Sequence, residues 1–300
     1  MEKEIDQKLY SRQIRTYGLK IMKKLVKLKY LVVGIGGLGF EIAKNLILAG
    51  PNEVNLFDDK LVNINDLGSN LYIEEVNIGK IRRDKACEKK FSELNPYVKV
   101  KTLEKFEIND CLYYDVIIIT EIMFSSDILF LINEKMREKN KGFIFCANLG
   151  LSAFGFSDFG RHFQILDEDG QELSIFYIND ISVKENKLIM EIDISNTSKR
   201  LKPQTYIKFK DVEGMIELNK FDYLKVNKID SKENSETFEI QCDFSGFKNY
   251  IKGGIVQEIK IPINKAYKSL KENYQYPVYN YDDFDKTPEK NKRYIAFIIP

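Results

Sequence analysis

One hexapeptide has the glycine spacing of a phosphate-binding turn: Gly34-Ile35-Gly36-Gly37-Leu38-Gly39. It follows a short apolar run, Tyr30–Gly34, and opens a stretch with helical spacing. In such a turn the first glycine permits the tight bend and the second lets the backbone approach a phosphate. The third permits close helix–strand packing. N–H groups at the helix start then attract the anion. Asp58 and Asp59 follow Gly39 by 19 and 20 residues, at the end of the next strand candidate. An acidic residue there commonly grips a ribose hydroxyl. Gly34, Gly36, Gly39 and Asp58 are therefore the candidate cofactor-binding residues.

Other chemistry is sparse. His162 is the only histidine, which excludes a multi-His zinc or iron site and leaves a histidine-based triad one candidate. It follows Arg161 in an apolar strand-like stretch and reads as a core or edge histidine. None of Cys87, Cys111, Cys146 and Cys242 sits in a C-x-x-C pair, so no Cys-clamped zinc is expected and no metal site is assigned. Cys242 falls in an apolar strand candidate, where a cysteine is usually inert. Lys+Arg number 46 against 45 Asp+Glu, so no basic footprint for nucleic acid exists. Hydrophobic residues at 44% with almost no net charge are a folding composition. No apolar run approaches the ~20 residues of a membrane span. The polar, acidic N-terminus is unlike a signal peptide. A cytoplasmic and nuclear location with reduced thiols is the expectation.

The elements that position the glycine turn alternate. Strand candidates are Tyr30–Gly34, Glu53–Phe57, Val98–Thr102, Val116–Thr120 and Phe143–Cys146. Helix candidates are Leu38–Ala49, stopped by Gly50-Pro51, then Ile78–Leu94, closed by Asn95-Pro96, and Asp127–Lys139. Alternating strands and helices argue for an open parallel sheet of Rossmann-like type. From about Ile165 the pattern becomes short strands: Ser174–Ile178, Leu188–Ile194, Thr205–Phe209, Phe238–Cys242 and Ile255–Ile261. Turns such as Glu168-Asp169-Gly170, Glu185-Asn186 and Ser245-Gly246 separate them, which suggests a small antiparallel barrel. Tyr267–Pro300 is charged and ends on an apolar run, Tyr294–Ile299, that looks truncated. Lys80, Arg82, Arg83, Lys85, Lys89 and Lys90 read as the solvated basic face of a helix. These residues leave two functions open: a stand-alone Rossmann-fold enzyme using NAD or ATP, and a nucleotide-fold module of an ATP-dependent adenylating enzyme.

Motifs around the turn narrow the choice by resemblance. Tyr10-Ser11-Arg12-Gln13-Ile14-Arg15 resembles the Y-S-R-Q entry segment of the ubiquitin-activating enzymes and their bacterial adenylating (ThiF/MoeB-like) relatives. The run Gly39–Gly50 is similar to their G-x-E-I-A-K-N-x-I-L-x-G. Ile78–Arg82 is similar to I-G-K-x-R, and Leu94–Val98 to L-N-x-x-V. Further on, Phe209–Asn219 resembles F-x-x-V-E-G-M-x-E-L-N of ubiquitin-activating enzymes, and Tyr250–Val256 resembles Y-x-x-G-G-I-V.

The resemblance implies a fold class: α/β, a ThiF-type parallel sheet with an inserted small antiparallel β-barrel. It divides the chain into an inactive adenylation domain (1–164), the first catalytic-cysteine half-domain (165–262) and a truncated return segment of the adenylation domain (263–300). The family adenylates the ubiquitin C-terminus with ATP and Mg²⁺ in its other, active half, and forms a thioester on a cysteine beyond Pro300. Here Ser69 replaces the family's phosphate-side arginine, Arg82 stands at the phosphate-contacting lysine position, and no magnesium-binding Asp follows Ile117–Thr120. The resemblance therefore implies a vestigial, empty site at Gly34, Gly36, Gly39 and Asp58, with no cofactor bound. Arg12 would cross the pseudo-twofold interface as an arginine finger to the ATP of the active half. Lys208, Asp211 and Glu213 would contact ubiquitin. Implied partners are ubiquitin, the active adenylation half, and ubiquitin-conjugating enzymes through the full-length protein.

Overall fold

The computed structural model describes residues 5–276, except 168, 169, 185, 186 and 203. The strand-like run Tyr294–Ile299 and the turns at Glu168-Asp169 and Glu185-Asn186 lie outside the described residues. Packing divides the chain into two units, one running to Phe163 and resuming at Lys265, the other Gln164–Asn264.

The first unit opens with two short helices, α1 (Ser11–Tyr17) and α2 (Leu19–Leu25). A six-stranded sheet follows: β1 (Lys29–Val33), β2 (Glu53–Phe57), β3 (Lys99–Thr102), β4 (Val116–Ile119), β5 (Gly142–Leu149) and β6 (Ser152–Asp158). Their spatial order is β3-β2-β1-β4-β5-β6, with five strands parallel and β6 antiparallel to β5. This is a Rossmann-like arrangement. Helices α3 (Gly37–Ala49), α4 (Arg83–Leu94) and α5 (Ser126–Glu138) link the parallel strands.

Both faces of the sheet are covered, which is why its central strands are apolar almost throughout. Val32, Val54 and Leu56 pack with Phe40, Ala43 and Ile47 of α3 and Phe91 of α4. Leu31, Val33, Ile117 and Ile119 face the other way, against Leu129, Ile132 and Met136 of α5. Gly50 ends α3 with φ +86, a left-handed cap that glycine adopts without Cβ strain. A last helix, α6 (Leu270–Gln275), buries Leu270 in the α5 core, and the Leu270 N–H donates to Asn133 Oδ1 at 2.8 Å.

α4 begins later than the spacing of Ile78–Leu94 suggests. Residues 78–80 form a turn in which Gly79 has φ +70, and Leu61 bridges an extended Arg82, so the helix starts only at Arg83. The antiparallel strand β6 was not anticipated.

After a short strand β7 (Phe163–Ile165), the second unit is a closed barrel. Its strands are β8 (Ile175–Lys184), β9 (Lys187–Asp193), β10 (Thr205–Lys210), β11 (Leu224–Ser231), β12 (Ser235–Gln241) and β13 (Ile255–Ile259). The order β10-β11-β12-β9-β8-β13 closes through an antiparallel β10–β13 pair. Alternate residues fill the interior, among them Phe176, Met190, Ile207, Phe209, Val226, Phe238 and Val256. Register shifts at Ile178/Asp180 and Lys228/Asp230 bend the two longest hairpin strands, as bulges do. Among the described residues no helix is long and apolar enough to cross a membrane.

Candidate functional site

The glycine turn sits where β1 meets α3, as its spacing demands. The third glycine is a packing requirement. A Cβ on Gly39 would lie 1.9 Å from the Gly34 carbonyl oxygen. Gly34 itself has φ +91 and is crossed by Thr120, whose hydroxyl donates to its carbonyl at 2.7 Å.

The N–H groups that would cradle a phosphate already have anionic partners from the chain. Ile35 N–H donates to Asp58 Oδ2 at 2.6 Å, and Gly36 N–H donates to Glu121 Oε1 at 3.0 Å. Glu121 follows β4 and turns its carboxylate back over the turn. A Cβ on Gly36 would fall 2.2 Å from Glu121 Oε1, so only glycine admits this approach.

Arg83 holds these carboxylates together. It is 5% exposed, and its Nη2 lies 2.7 Å from Asp58 Oδ2 and 2.9 Å from Glu121 Oε2. Its Nη1 lies 3.3 Å from Asp66 Oδ1. Lys60 Nζ adds a second cation to Glu121 at 2.7 Å. Asp66 is fixed from its own side by a reciprocal cap with Asn63 at the start of a 3₁₀ turn, Ile64–Gly68. Three carboxylates thus meet two cations around one turn.

The protonation equilibria follow. Burial alone would raise Glu121, but hydrogen bonds from Arg83 and Lys60 outweigh it and hold the carboxyl below its ordinary value. Asp58 is raised, because burial exceeds the help from Ile35 N–H and Arg83. Burial opposes the charge on Arg83, yet Glu121 and Asp58 raise its pKa further.

Beside the turn lies a cleft of about 440 Å³, lined by Gly37, Leu38, Ser69, Thr120, Glu121, Ile122 and residues 147–149. Its one charged lining residue is Glu121. Ser69 packs against Gly37, where a Cβ would be 2.8 Å from the serine Cβ, and presents no cation. A nucleotide phosphate at this turn would face the Glu121 and Asp58 carboxylates. The residues present do not fit it.

Arg82, expected at the phosphate position, points elsewhere. Its guanidinium bonds Asp84 Oδ2 at 2.6 Å and the carbonyls of Leu103 and Glu104 at 2.8 and 2.9 Å. The neighbouring residue, Arg83, reaches the turn instead. The basic face of α4 is also not simply solvated: Arg83 is buried, Lys85 pairs with Glu104, and Lys90 pairs with Glu74 at 2.7 Å.

The other candidates lie outside this cluster in the chain, Arg12 on α1 of the first unit and Lys208, Asp211 and Glu213 in the second unit. Arg12 is exposed on α1, and its guanidinium has no hydrogen bond or ion pair among the described residues. Lys208 on β10 is half-buried and 3.7 Å from Asp222. Asp211, exposed at φ +58, begins the turn after β10. Glu213 is exposed and 3.7 Å from Lys252. His162 is exposed directly before Phe163, so of its reading as a core or edge histidine the core alternative does not hold.

Burial raises all four thiols, to about 11 at Cys87 and about 12 at Cys111. Native protein at pH 7.5 should therefore leave Cys87 and Cys111 unlabelled by a disulfide reagent until it is denatured. Rapid labelling of either, located by peptide mass, would contradict this.

Glu121 and Arg83 are the residues that sequence reasoning missed. Arg83 was visible only as one of a run of basic residues, and nothing in the local spacing of Glu121 pointed to the turn.

Comparison with known proteins agrees with this architecture. Residues 10–156 match the ThiF family, and residues 190–260 match the ubiquitin-activating enzyme E1 FCCH domain. The chain is 32% identical to ubiquitin-activating enzyme E1 1 of Candida albicans over 98% of its own length and 28% of that protein's. It is 34% identical to ubiquitin-activating enzyme E1 1 of Arabidopsis thaliana, covering 98% of this chain and 27% of that one. Identity to human ubiquitin-like modifier-activating enzyme 1 is 30%, over 99% of this chain and 27% of that one. The chain thus spans little more than a quarter of these relatives. With a ThiF-family unit, an FCCH unit and similarity along nearly its whole length, the chain belongs to the ubiquitin-activating enzyme E1 family.

Proposed function

We propose that this chain is the non-catalytic adenylation half, with its inserted barrel, of an enzyme that activates ubiquitin. The observation that carries the reading is the glycine turn filled from within: Glu121 takes the Gly36 N–H, and Arg83 and Lys60 neutralise it. A site whose anion is a side chain has no fixed cations left for ATP. Adenylation then takes place in a second, active half. There the ubiquitin C-terminal carboxylate attacks the α-phosphate of ATP and pyrophosphate departs.

This half would contribute three things. Arg12, exposed and without a partner among the described residues, would reach the phosphates of that ATP. A planar, permanently charged guanidinium suits charge building on phosphate oxygens. Leu61, Ile64, Leu71 and Val76, all more than half exposed, would form part of the surface covered by the active half. Lys208, Asp211 and Glu213 of the barrel would touch ubiquitin. Ubiquitin-conjugating enzymes would be met through the full-length protein, in cytoplasm and nucleus.

Thermal unfolding of this chain with ligand tests the reading. ATP·Mg²⁺ or NAD at 1 mM (about a common working concentration) should leave the midpoint unchanged. A ligand at 100 times its Kd stabilises by ~2.7 kcal/mol, so occupancy would be visible. A large shift with NAD would favour a stand-alone Rossmann-fold enzyme instead.

Reversing all three barrel charges, Lys208→Glu, Asp211→Lys and Glu213→Lys, should raise the KM for ubiquitin ~10-fold with kcat little changed. An unchanged KM removes these residues from the ubiquitin surface.

A further inference from the structure

The helix carrying Arg12 has little holding it. α1 buries no residue, and α2 buries only Met22. Gln13 Nε2 reaches the Leu48 carbonyl at 3.5 Å, a marginal bond. Yet Tyr10, at the N-terminal boundary of α1 and two residues before Arg12, is 5% exposed between exposed Leu9 and exposed Ser11.

Its ring is seated in a notch made for it. Gly50, in the left-handed conformation that ends α3, could not carry a Cβ there. That atom would lie 2.4 Å from Tyr10 Oη and 2.6 Å from the ring. Tyr10 Oη accepts a hydrogen bond from Asn95 Nδ2 at 3.1 Å. The same amide donates to the Ile47 carbonyl at 3.0 Å, in the last turn of α3. Asn95 Oδ1 accepts from Tyr97 N–H at 3.1 Å, so both ends of this buried side chain are engaged. A second tie lies just upstream. Asp6 accepts the N–H groups of Lys8 and Leu9, and Tyr97 Oη donates to its other oxygen at 3.3 Å. Asp6 is held below its ordinary pKa, chiefly by the Leu9 N–H.

We propose that Tyr10 and Asn95 are positioning residues for Arg12. They key the start of α1 to the C-terminal end of α3 and so set where the guanidinium projects. The proposal rests on the reading of Arg12 given above. It differs from a packing role in one respect: the two residues act on rate only through Arg12. An ordinary core contact would act on stability whether or not Arg12 were present.

A double-mutant cycle in the complete enzyme separates the two. Initial rates of ubiquitin-dependent ATP–pyrophosphate exchange are measured for wild type, Asn95→Ala, Arg12→Ala and the double variant. Asn95→Ala should lower kcat ~10-fold, with the KM for ATP and for ubiquitin within about 2-fold of wild type. A misplacement of about 1 Å can cost more than this. In the Arg12→Ala background the same substitution should change kcat less than ~2-fold, because the group it positions is gone. Tyr10→Phe keeps the ring in its notch and deletes the hydroxyl that accepts from Asn95, so it carries the same comparison if Asn95→Ala fails to fold. A slow Arg12→Ala enzyme that loses a further ~10-fold from Asn95→Ala would reduce the pin to ordinary packing and overturn the proposal. So would an Asn95→Ala enzyme at the wild-type rate. A wild-type rate in Arg12→Ala itself would instead overturn the Arg12 reading, and the positioning role with it.

Discussion

Arg83→Met should destabilise the Rossmann-like unit by ~3–5 kcal/mol, measured as a fall in the urea midpoint at pH 7. Methionine fills the volume but leaves Asp58, Asp66 and Glu121 facing one another with Lys60 as their remaining cation. Desolvated charges stripped of a partner are among the few causes of losses this large. Arg83→Lys should cost less, ~1–2 kcal/mol, because it keeps the charge but cannot bond three carboxylates from one planar fork. An Arg83→Met protein as stable as wild type would mean that the carboxylates are neutralised in some other way.

The pH dependence has a defined sign. Glu121 is held below its ordinary value of 4.5, so its contribution is present above that value and is lost as pH falls through the lowered one. Asp58 is raised above its ordinary 3.8, so its contribution has the opposite sense and is lost as pH rises through the raised value. In Arg83→Met both carboxyls lose their strongest cation and take up protons more readily. The stability gap between variant and wild type should therefore be widest near neutrality and narrow below about pH 4.5, where protonation relieves the repulsion. A gap independent of pH would show that lost packing, not charge, is what the substitution costs.

Arg12→Ala should leave stability untouched and slow ubiquitin adenylation by ~10²-fold or more in the complete enzyme, about 2.7 kcal/mol of transition-state stabilisation. The side chain is exposed and unpaired among the described residues, so the folded unit loses nothing when it is shortened. Comparable arginine fingers in nucleotide hydrolases supply ~10³–10⁵-fold. Arg12→Lys should recover only part of the rate, since an ammonium is a compact point charge without the planar fork. Pyrophosphate exchange at the wild-type rate in Arg12→Ala would end the arginine-finger reading.

The architecture was legible wherever local pattern and final environment agree. β2 was bounded correctly and β1, α3 and α5 to within a residue, because each carries an apolar stripe of its own period between clear stops such as Gly50. β11 was missed. Leu224 to Asn227 alternate, but Lys228 falls where the next apolar residue would stand and the bulge after it shifts the pattern, so only four residues carry the signal. β6 was missed because Ser152, Ala153 and Gly155 leave few apolar residues to read.

At the site, the glycine motif was visible and its content was not. Residues 83 and 121 are joined by an ion pair between distant segments, and no spacing rule reports that. The one-residue choice between Arg82 and Arg83 depended on where α4 starts. Arg82 is still extended and turns towards Asp84 and the carbonyls after β3, whereas Arg83 is the first helical residue and turns inward. The motif also has a mechanical requirement of its own. Gly39 must stay glycine to clear the Gly34 carbonyl, whether or not a phosphate ever arrives.

The closure of the barrel has a kinetic consequence. β10 and β13 form its final seam, joining strands far apart in the chain, so every strand is bonded on both sides. Such a ring has no end from which to fray. A strand can leave only by breaking two ladders together. Amide exchange across β8–β13 should therefore proceed through one shared opening event, with similar protection from strand to strand. An open sheet would instead lose protection stepwise from its edges.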